Sequence, residues 1–574
     1  MKSETKSCQN CKTSFVIAPE DFDFYAKIQV PPPTFCPDCR MMRRLSFMNE
    51  RTLYKRTCDL CGTSMISNFA PGTPFPVYCN PCWSSDKWDP MSYGVDVDFS
   101  KPFFLQMKEL HERVPWQALH TVHSSMINSE YAHNASYLKD CYLMSTSDYS
   151  ENCMYGNCVE HSKDSLDLLF ADNSEACYDS TNLAKCNRVF YSVNCTDSYN
   201  LMYCDNCIGC GDCFGSTNLR NKQYYIFNEA YSKENYFKKM GELSLGSFAK
   251  HEESKKIAKE LAGKLPHRFM TGTMNANVSG EYISNCKNTH ESYQVMDAQD
   301  CKYCHLFILG PTKDCYDFTM WGMNAGLVYE STASGGGTAN CKFVSEVWTE
   351  AHDLEYCFNL LLQGSNLFGC NGIKQKEYCI LNKQYSKEEY LELVPKIKEH
   401  MMAVPYIDKQ GNEYKYGEFF PPEFSPFAYN ETLAQEYFLI TAEEATGKGL
   451  RWKEREQRDY QITLKSADIP ENISEADETI TKQIIQCQHE GKCNHQCSEA
   501  FRVIPKELEF YKKQNLPLPR LCPNCRHYER LSQRQGFKLF KRTCAKCSKE
   551  IQTSYAPDRP DIVYCESCFQ QEVV

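Results

Sequence analysis

The residues of this chain best equipped for chemistry are cysteines set in close pairs. Near the N-terminus they are Cys8/Cys11, Cys36/Cys39, Cys58/Cys61 and Cys79/Cys82. Near the C-terminus they are Cys493/Cys497, Cys522/Cys525, Cys544/Cys547 and Cys565/Cys568. A pair two residues apart turns both sulfurs to one face of a tight knuckle, and two knuckles complete a tetrahedral thiolate cage for Zn2+. Joining first with second and third with fourth predicts two ions at each end, four in all. A cross-braced order, first with third and second with fourth, is the alternative. Such cages have no open coordination position, which marks structural rather than catalytic zinc. Each ion would contribute on the order of 10–16 kcal/mol to folding. One knuckle, CQHEGKCNHQC, leaves its ligands open. Cys493 or Cys487 can partner Cys497, and His489 or His495 can substitute; alignment with the other end favours Cys493.

The two ends are one module, duplicated. From the last cysteine of one pair to the first of the next, the steps are 25, 19 and 18 residues at both ends. Phe15 aligns with Phe501, Pro19 with Pro505, and Phe24-Tyr25 with Phe510-Tyr511; KRTC and VYC recur in register. In CPDCRMMRRL the second knuckle runs into a helix-like segment whose N-terminal amides can stabilise thiolate charge. Basic residues crowd these knuckles: six Lys/Arg against two acids from Cys36 to Arg56, and nine against one from Arg520 to Lys549. One reading is phosphate contact with RNA or DNA through Arg40, Arg43, Arg44, Lys55, Arg56, Arg526, Arg530, Lys541 and Arg542. The other is that these cations offset the −2 charge of four thiolates on one zinc.

The elements that must position these knuckles follow from length and texture. A chain of 574 residues exceeds one core and suggests about four domains. A formal charge of −11 argues against a globally basic nucleic-acid binder. The opening MKSETKSCQNC has no apolar leader, and no apolar run approaches the length of a membrane span. A cytoplasmic protein with no membrane association is therefore expected, its 35 cysteines binding metal or filling a core rather than forming disulfides.

Between the end modules the chain repeats. Written in twelves from Cys141, its second column reads Tyr142, Met154, Leu166, Tyr178, Phe190, Met202, Phe214 and Ile226, while the sixth holds Asn182, Asn194, Asn206 and Asn218. Recurring columns of short apolar bursts predict stacked rungs, with the apolar column inward and the Asn column at a left-handed turn. Whether twelve residues make a whole rung or half of one stays open. A second set of bursts, at Tyr293, Leu306, Tyr316, Val328, Phe343 and Phe358, drifts in spacing, and SGGG (Ser334–Gly337) reads as an inserted loop. Both sets close alike, with a last strand, an N-cap serine (Ser232, Ser386) and an acidic-then-aromatic helix.

The predicted fold is mainly β. Tandem right-handed β-solenoid-like repeats with short capping helices are flanked by small treble-clef or zinc-ribbon modules. The expected boundaries are 1–90 for the first two-zinc module, 91–127 for a helical connector, 128–272 and 273–403 for the solenoids, 404–486 for a linker, and 487–574 for the second module. Other chemistries find weaker support. Cys204, Cys207, Cys210 and Cys213 resemble an iron–sulfur run, but they fall in repeat columns that elsewhere hold Ser, Val or Leu. Asp148, Asp164, Asp167, Asp314 and Asp317 sit near expected turns, and no pair can be set at the roughly 5 or 9 Å that glycoside cleavage needs. His120, His123 and His133 lack an evident acidic partner. No phosphate loop, dinucleotide fingerprint or nucleophile elbow is present.

The phrases CPDCRMMRRLSFMNERTLYKRTCD, YCNPCWSSDKWDP, FGSTNLRNKQYYIFN and LPLPRLCPNCRHYERL resemble an uncharacterised bacterial family of large zinc-ribbon/treble-clef proteins with a cysteine-rich repeat centre. The likeness spans essentially the whole chain. It implies zinc binding, and some members carry a CaiB/BaiF-type label, a CoA-transferase name for which this sequence shows no motif. The expectation is a zinc-binding scaffold or binding protein contacting RNA or another protein, with enzymatic activity left open. The alternatives are a solenoid enzyme acting on carbohydrate and an iron–sulfur or redox protein.

Overall fold

The computed structural model describes residues 2–306, 310–360, 363–454 and 461–573. It is mainly β, dominated by one 11-stranded and one 14-stranded sheet. The chain forms two compact units, each assembled from distant segments. One unit joins Met1–His120 to Met270–Glu454 and Gly536–Leu539; the other joins Thr121–Phe269 to Arg455–Gln535 and Phe540–Val574. Each cysteine module therefore shares a unit with the repeat set farther from it in sequence. The expected linker 404–486 is divided between the units, and its residues 455–460 lie outside the described ones.

In the Thr121–Phe269 segment, parallel pairing advances in steps of twelve residues: Leu166 pairs with Tyr178, Tyr178 with Phe190 and Met202 with Phe214. Twelve residues thus separate one row from the next. Along each row, every third residue is left-handed, as at Asn182, Lys185, Arg188, Tyr191 and Asn194. Two extended residues and one left-handed corner form the repeating step. Left-handed geometry costs an L-residue about 1–2 kcal/mol, least for Asn and Asp. Side-chain ladders between rows offset that cost: Asn182 Nδ2 donates to Asn194 Oδ1 at 2.9 Å and Asn206 Nδ2 to Asn218 Oδ1 at 2.6 Å. The Asn column occupies the corners assigned to it. In the other repeat set the step varies: eleven residues from Gly272 to Ile283, fourteen from Ala298 to Thr312, thirteen from Tyr316 to Tyr329 and on to Lys342, and twelve from Ser365 to Glu377. Ser334–Gly337 lies within a row there rather than looping out: Ser334 bridges Val347, and a Cβ on Gly335 would strike the Trp321 ring.

The apolar second column does not line the ladder interior. The interior holds the neighbouring column, with Cys141, Cys153, Cys177, Val189, Leu201 and Cys213 packed together. Successive strand residues face opposite ways, so Met154, Leu166, Tyr178, Phe190, Met202 and Phe214 face out. They form a separate core with Phe501, Leu508, Phe510 and Tyr511 of the C-terminal module. In the other unit Tyr316, Tyr329, Phe343 and Tyr356 likewise pack with Phe24, Tyr25 and Phe47 of the N-terminal module. The longest apolar column is therefore a docking seam.

Both ladders end in an antiparallel strand, Glu229–Ala230 or Lys383–Gln384, before a capped helix. Ser232 Oγ accepts from the Asn235 amide and Ser386 Oγ from that of Glu389, both at 3.2 Å. The expected helical connector contains one α-helix, Phe103–His111, and the strand Trp116–Gln117, which pairs with Val77–Tyr78.

Candidate metal centres

Each knuckle is shaped by a short hairpin or by a helix that starts on a cysteine. Glu4–Ser7 pairs with Ser14–Ile17, and Tyr54–Thr57 with Ser64–Ser67, leaving Cys8/Cys11 and Cys58/Cys61 at the turns. Cys36, Cys79 and Cys522 are N-cap residues of helices with proline in the first turn, at Pro37–Leu45, Asn80–Trp83 and Pro523–Ser532. Proline suits that place because its missing N–H would have no partner there.

The sulfurs assemble sequentially. Cys8, Cys11, Cys36 and Cys39 lie within 4.8 Å of one another, as do Cys58, Cys61, Cys79 and Cys82, and Cys544, Cys547, Cys565 and Cys568. Individual Sγ separations are 3.6 Å for Cys11–Cys36, 3.9 Å for Cys61–Cys79 and 3.7 Å for Cys547–Cys565. A tetrahedron with bonds of about 2.3 Å has edges of about 3.8 Å, whereas a disulfide brings sulfurs to about 2.05 Å. These groups can hold a metal ion. Amides point at them: the Cys79 N–H lies 3.3 Å from Cys58 Sγ, the Cys522 N–H 3.3 Å from Cys487 Sγ, and the Cys565 N–H 3.2 Å from Cys544 Sγ. Hydrogen bonds among the sulfurs hold Cys8 and Cys522 far below the ordinary thiol range and push their partners Cys36 and Cys525 far above it, so without a cation one sulfur of each set ionises first. Thiolate is the metal-binding form.

The remaining tetrad corrects the sequence alignment. Cys487, not Cys493, joins Cys497, Cys522 and Cys525 within 4.8 Å. Strand register gives the reason. Lys6 pairs with Phe15 and Ile485 with Phe501, so Cys487 occupies the place of Cys8. The Cys8 amide donates to Thr13 O and the Cys487 amide to Glu499 O, completing the equivalence. Counting residues back from Cys497 could not reveal this, because the C-terminal knuckle is longer.

The arginines offered to nucleic acid are mostly spent inside the protein. Arg40, Arg43 and Arg44 are buried, and the repeat carboxylates they meet, Asp317 and Glu330, are fully buried. Arg40 Nη2 lies 2.8 Å and Arg44 Nη1 3.1 Å from Asp317, while Arg43 Nη2 lies 2.9 Å from Glu330 and Nη1 3.2 Å from Glu418. In the other unit Arg526 and Arg530 both reach Asp167 at 3.0 Å, and Arg530 also reaches Asp179 at 2.8 Å. Asp167 and Asp317 are both left-handed corners. Arg56 pairs with Asp59, and Arg542 donates to the Ala556 and Asp561 carbonyls. Lys55 and Lys541 are exposed. Neither sequence reading foresaw the ladder carboxylates, because Asp317 and Asp167 lie more than 250 residues from the arginines they meet.

The other motifs also have structural uses. Cys204, Cys207, Cys210 and Cys213 are buried in the ladder, and their thiols donate to the carbonyls of Met202, Asp205, Ile208 and Gly211. They belong to none of the metal-capable groups among the described residues. Asp148 accepts from Ser136, Asp164 from Asn152, and Asp314 pairs with Lys27. His120, expected to lack an acidic partner, lies 3.2 Å from the Glu346 carboxylate. Among the described residues no helix is long and apolar enough to cross a membrane.

Fold and centres together define a mainly β, cysteine-rich protein whose end modules carry groups able to hold metal ions. No protein-family model matches the chain, and no curated protein matches it.

Proposed function

We propose that this chain is a zinc-stabilised scaffold that binds another protein in a reducing compartment, the cytoplasm. The carrying observation is that each all-cysteine group is closed by four sulfurs, while the helices that start at Cys36 and Cys522 drive arginines into buried carboxylates of a parallel ladder. Zinc suits such a donor set, because four thiolates favour tetrahedral coordination and leave no place for substrate. The end modules are then treble-clef or zinc-ribbon units that fix the ladders. The ladders are β-solenoids of eleven- to fourteen-residue rungs, read as right-handed by the rule for parallel crossovers.

Partner binding is supported by an exposed column on one ladder, where Tyr137, Tyr149 and His161 stack at 4.7 and 5.0 Å. Both tyrosines are 53% exposed. Rigid aromatic side chains at row spacing give contact area at low entropy cost. A protein partner is favoured over RNA because the net charge is −11 and the knuckle arginines are internal.

Metal analysis of the purified full chain, together with crosslinking in cell extract, tests the reading. At least four zinc ions per chain and protein crosslinks weakened by Tyr149→Ala are expected. A chain that folds without zinc, or that crosslinks to RNA and no protein, would overturn it.

A further inference from the structure

The C-terminal module carries a second group of donors beside its first tetrad. Two residues separate Cys8 from Cys11, but nine separate their counterparts Cys487 and Cys497. The additional residues, HEGKCNH, contribute His489, Cys493 and His495. Left-handed residues at Glu490, Gly491 and Gln496 fold this segment back, and the Lys492 amide donates to His489 O at 2.8 Å. As a result the donor atoms of His489, Cys493, His495 and Cys525 all lie within 4.8 Å of one another. Cys493 Sγ is 3.7 Å from Cys525 Sγ, which is itself 3.9 Å from Cys487 Sγ.

Cys525 thus belongs to two sets at once. Two tetrahedra sharing one corner need seven donors, and this knuckle supplies seven. Cys487, Cys497 and Cys522 complete one set with the shared sulfur; His489, Cys493 and His495 complete the other. A second, independent feature points the same way. The Nδ1 atoms of His489 and His495 are both buried with no hydrogen-bond partner. Leaving such an atom unpaired costs about 1–3 kcal/mol, and a divalent ion at that position would remove the cost. The rings are also held in place: their centroids are 5.4 Å apart, and His495 stacks on Tyr528 with planes 6° apart. Electrostatics agree. One zinc on four thiolates carries −2, whereas two zinc ions on five thiolates and two neutral imidazoles carry −1.

We propose that this knuckle holds a dinuclear zinc centre bridged by the Cys525 thiolate, a site that the N-terminal module lacks. The proposal rests on the reading of the Cys487 tetrad as a zinc site and adds one ion to it. It is tested on the full chain by zinc stoichiometry, and by 113Cd NMR after metal exchange. Five zinc ions per chain are expected, falling to four in His489→Asn/His495→Asn, and two of the cadmium resonances should be coupled through the shared sulfur. Four ions in the natural chain, unchanged in the variant, would overturn the proposal while leaving the tetrads standing. No zinc at all would overturn both. Five ions without cadmium–cadmium coupling would overturn the bridge. If the double variant does not fold, the stoichiometry and coupling of the natural chain still decide.

Discussion

Arg530 and Asp167 meet at 3.0 Å with both side chains fully buried, joining the helix behind a cysteine knuckle to a left-handed corner of the ladder. Arg44 and Asp317 make the same junction in the other unit at 3.1 Å. A buried pair of this kind contributes little net stability over an apolar substitute, but breaking it strands a charge. The pair therefore fixes which surfaces dock.

Removing one partner should be costly. Arg530→Gln and Asp167→Asn are each expected to lower stability by about 3–5 kcal/mol. The double variant should lose less than the sum. Urea unfolding followed by the circular dichroism of the chain measures this, because all six tryptophans lie in the other unit; additive losses would show that the two side chains are not coupled.

The knuckle and ladder cysteines should behave oppositely. Cys36→Ser is expected to release one zinc and abolish the cooperative unfolding of its unit, since structural zinc supplies on the order of 10–16 kcal/mol. Cys210→Ser should leave metal content unchanged and cost about 1 kcal/mol or less. Its column is serine one row away: Ser198 Oγ donates to Thr196 O just as Cys210 Sγ donates to Ile208 O. Zinc loss from Cys210→Ser would argue for a ladder metal site.

At Asn194, with φ +56, the backbone should rank substitutions. Asn194 donates to Asp205 Oδ1 at 3.2 Å and accepts from Asn182. Glycine keeps the corner and loses the bonds; alanine loses both, costing about 2 kcal/mol; valine adds β-branched strain. Melting temperatures should fall in the order Asn, Gly, Ala, Val. Valine melting above glycine would contradict the left-handed corner.

Glu160 gives the first ladder a pH dependence. Burial, reinforced by Asp148 and Asp172, pushes its carboxyl from 4.5 up to about 9. Below about pH 4.5 both folded and unfolded chains hold the proton, and stability is unaffected. Above it the unfolded chain ionises first, so stability falls until the pH passes about 9. Glu160→Gln should therefore be more stable than the natural chain at pH 8 and equal to it near pH 4. Urea midpoints across that range measure the difference, and parallel curves would exclude Glu160 as the source.

Much of this protein is local and can be read from sequence. The 25-19-18 cysteine spacing, the Asn column and the capping serines each follow from a turn or a short-range hydrogen bond within one segment or between neighbouring rows. Three features are decided only in three dimensions. Strand pairing gives Cys487 the place of Cys8 and turns the HEGKCNH segment back on Cys525, because an insertion shifts the count without shifting the register. The apolar second column faces outward because its inward neighbour is cysteine, serine and leucine, and both columns look equally buried in one dimension. The arginines that suggest phosphate meet carboxylates hundreds of residues away, because each module docks on the repeat set farther from it in sequence. Spacing determined what the knuckles can bind, and packing decided what their helices hold.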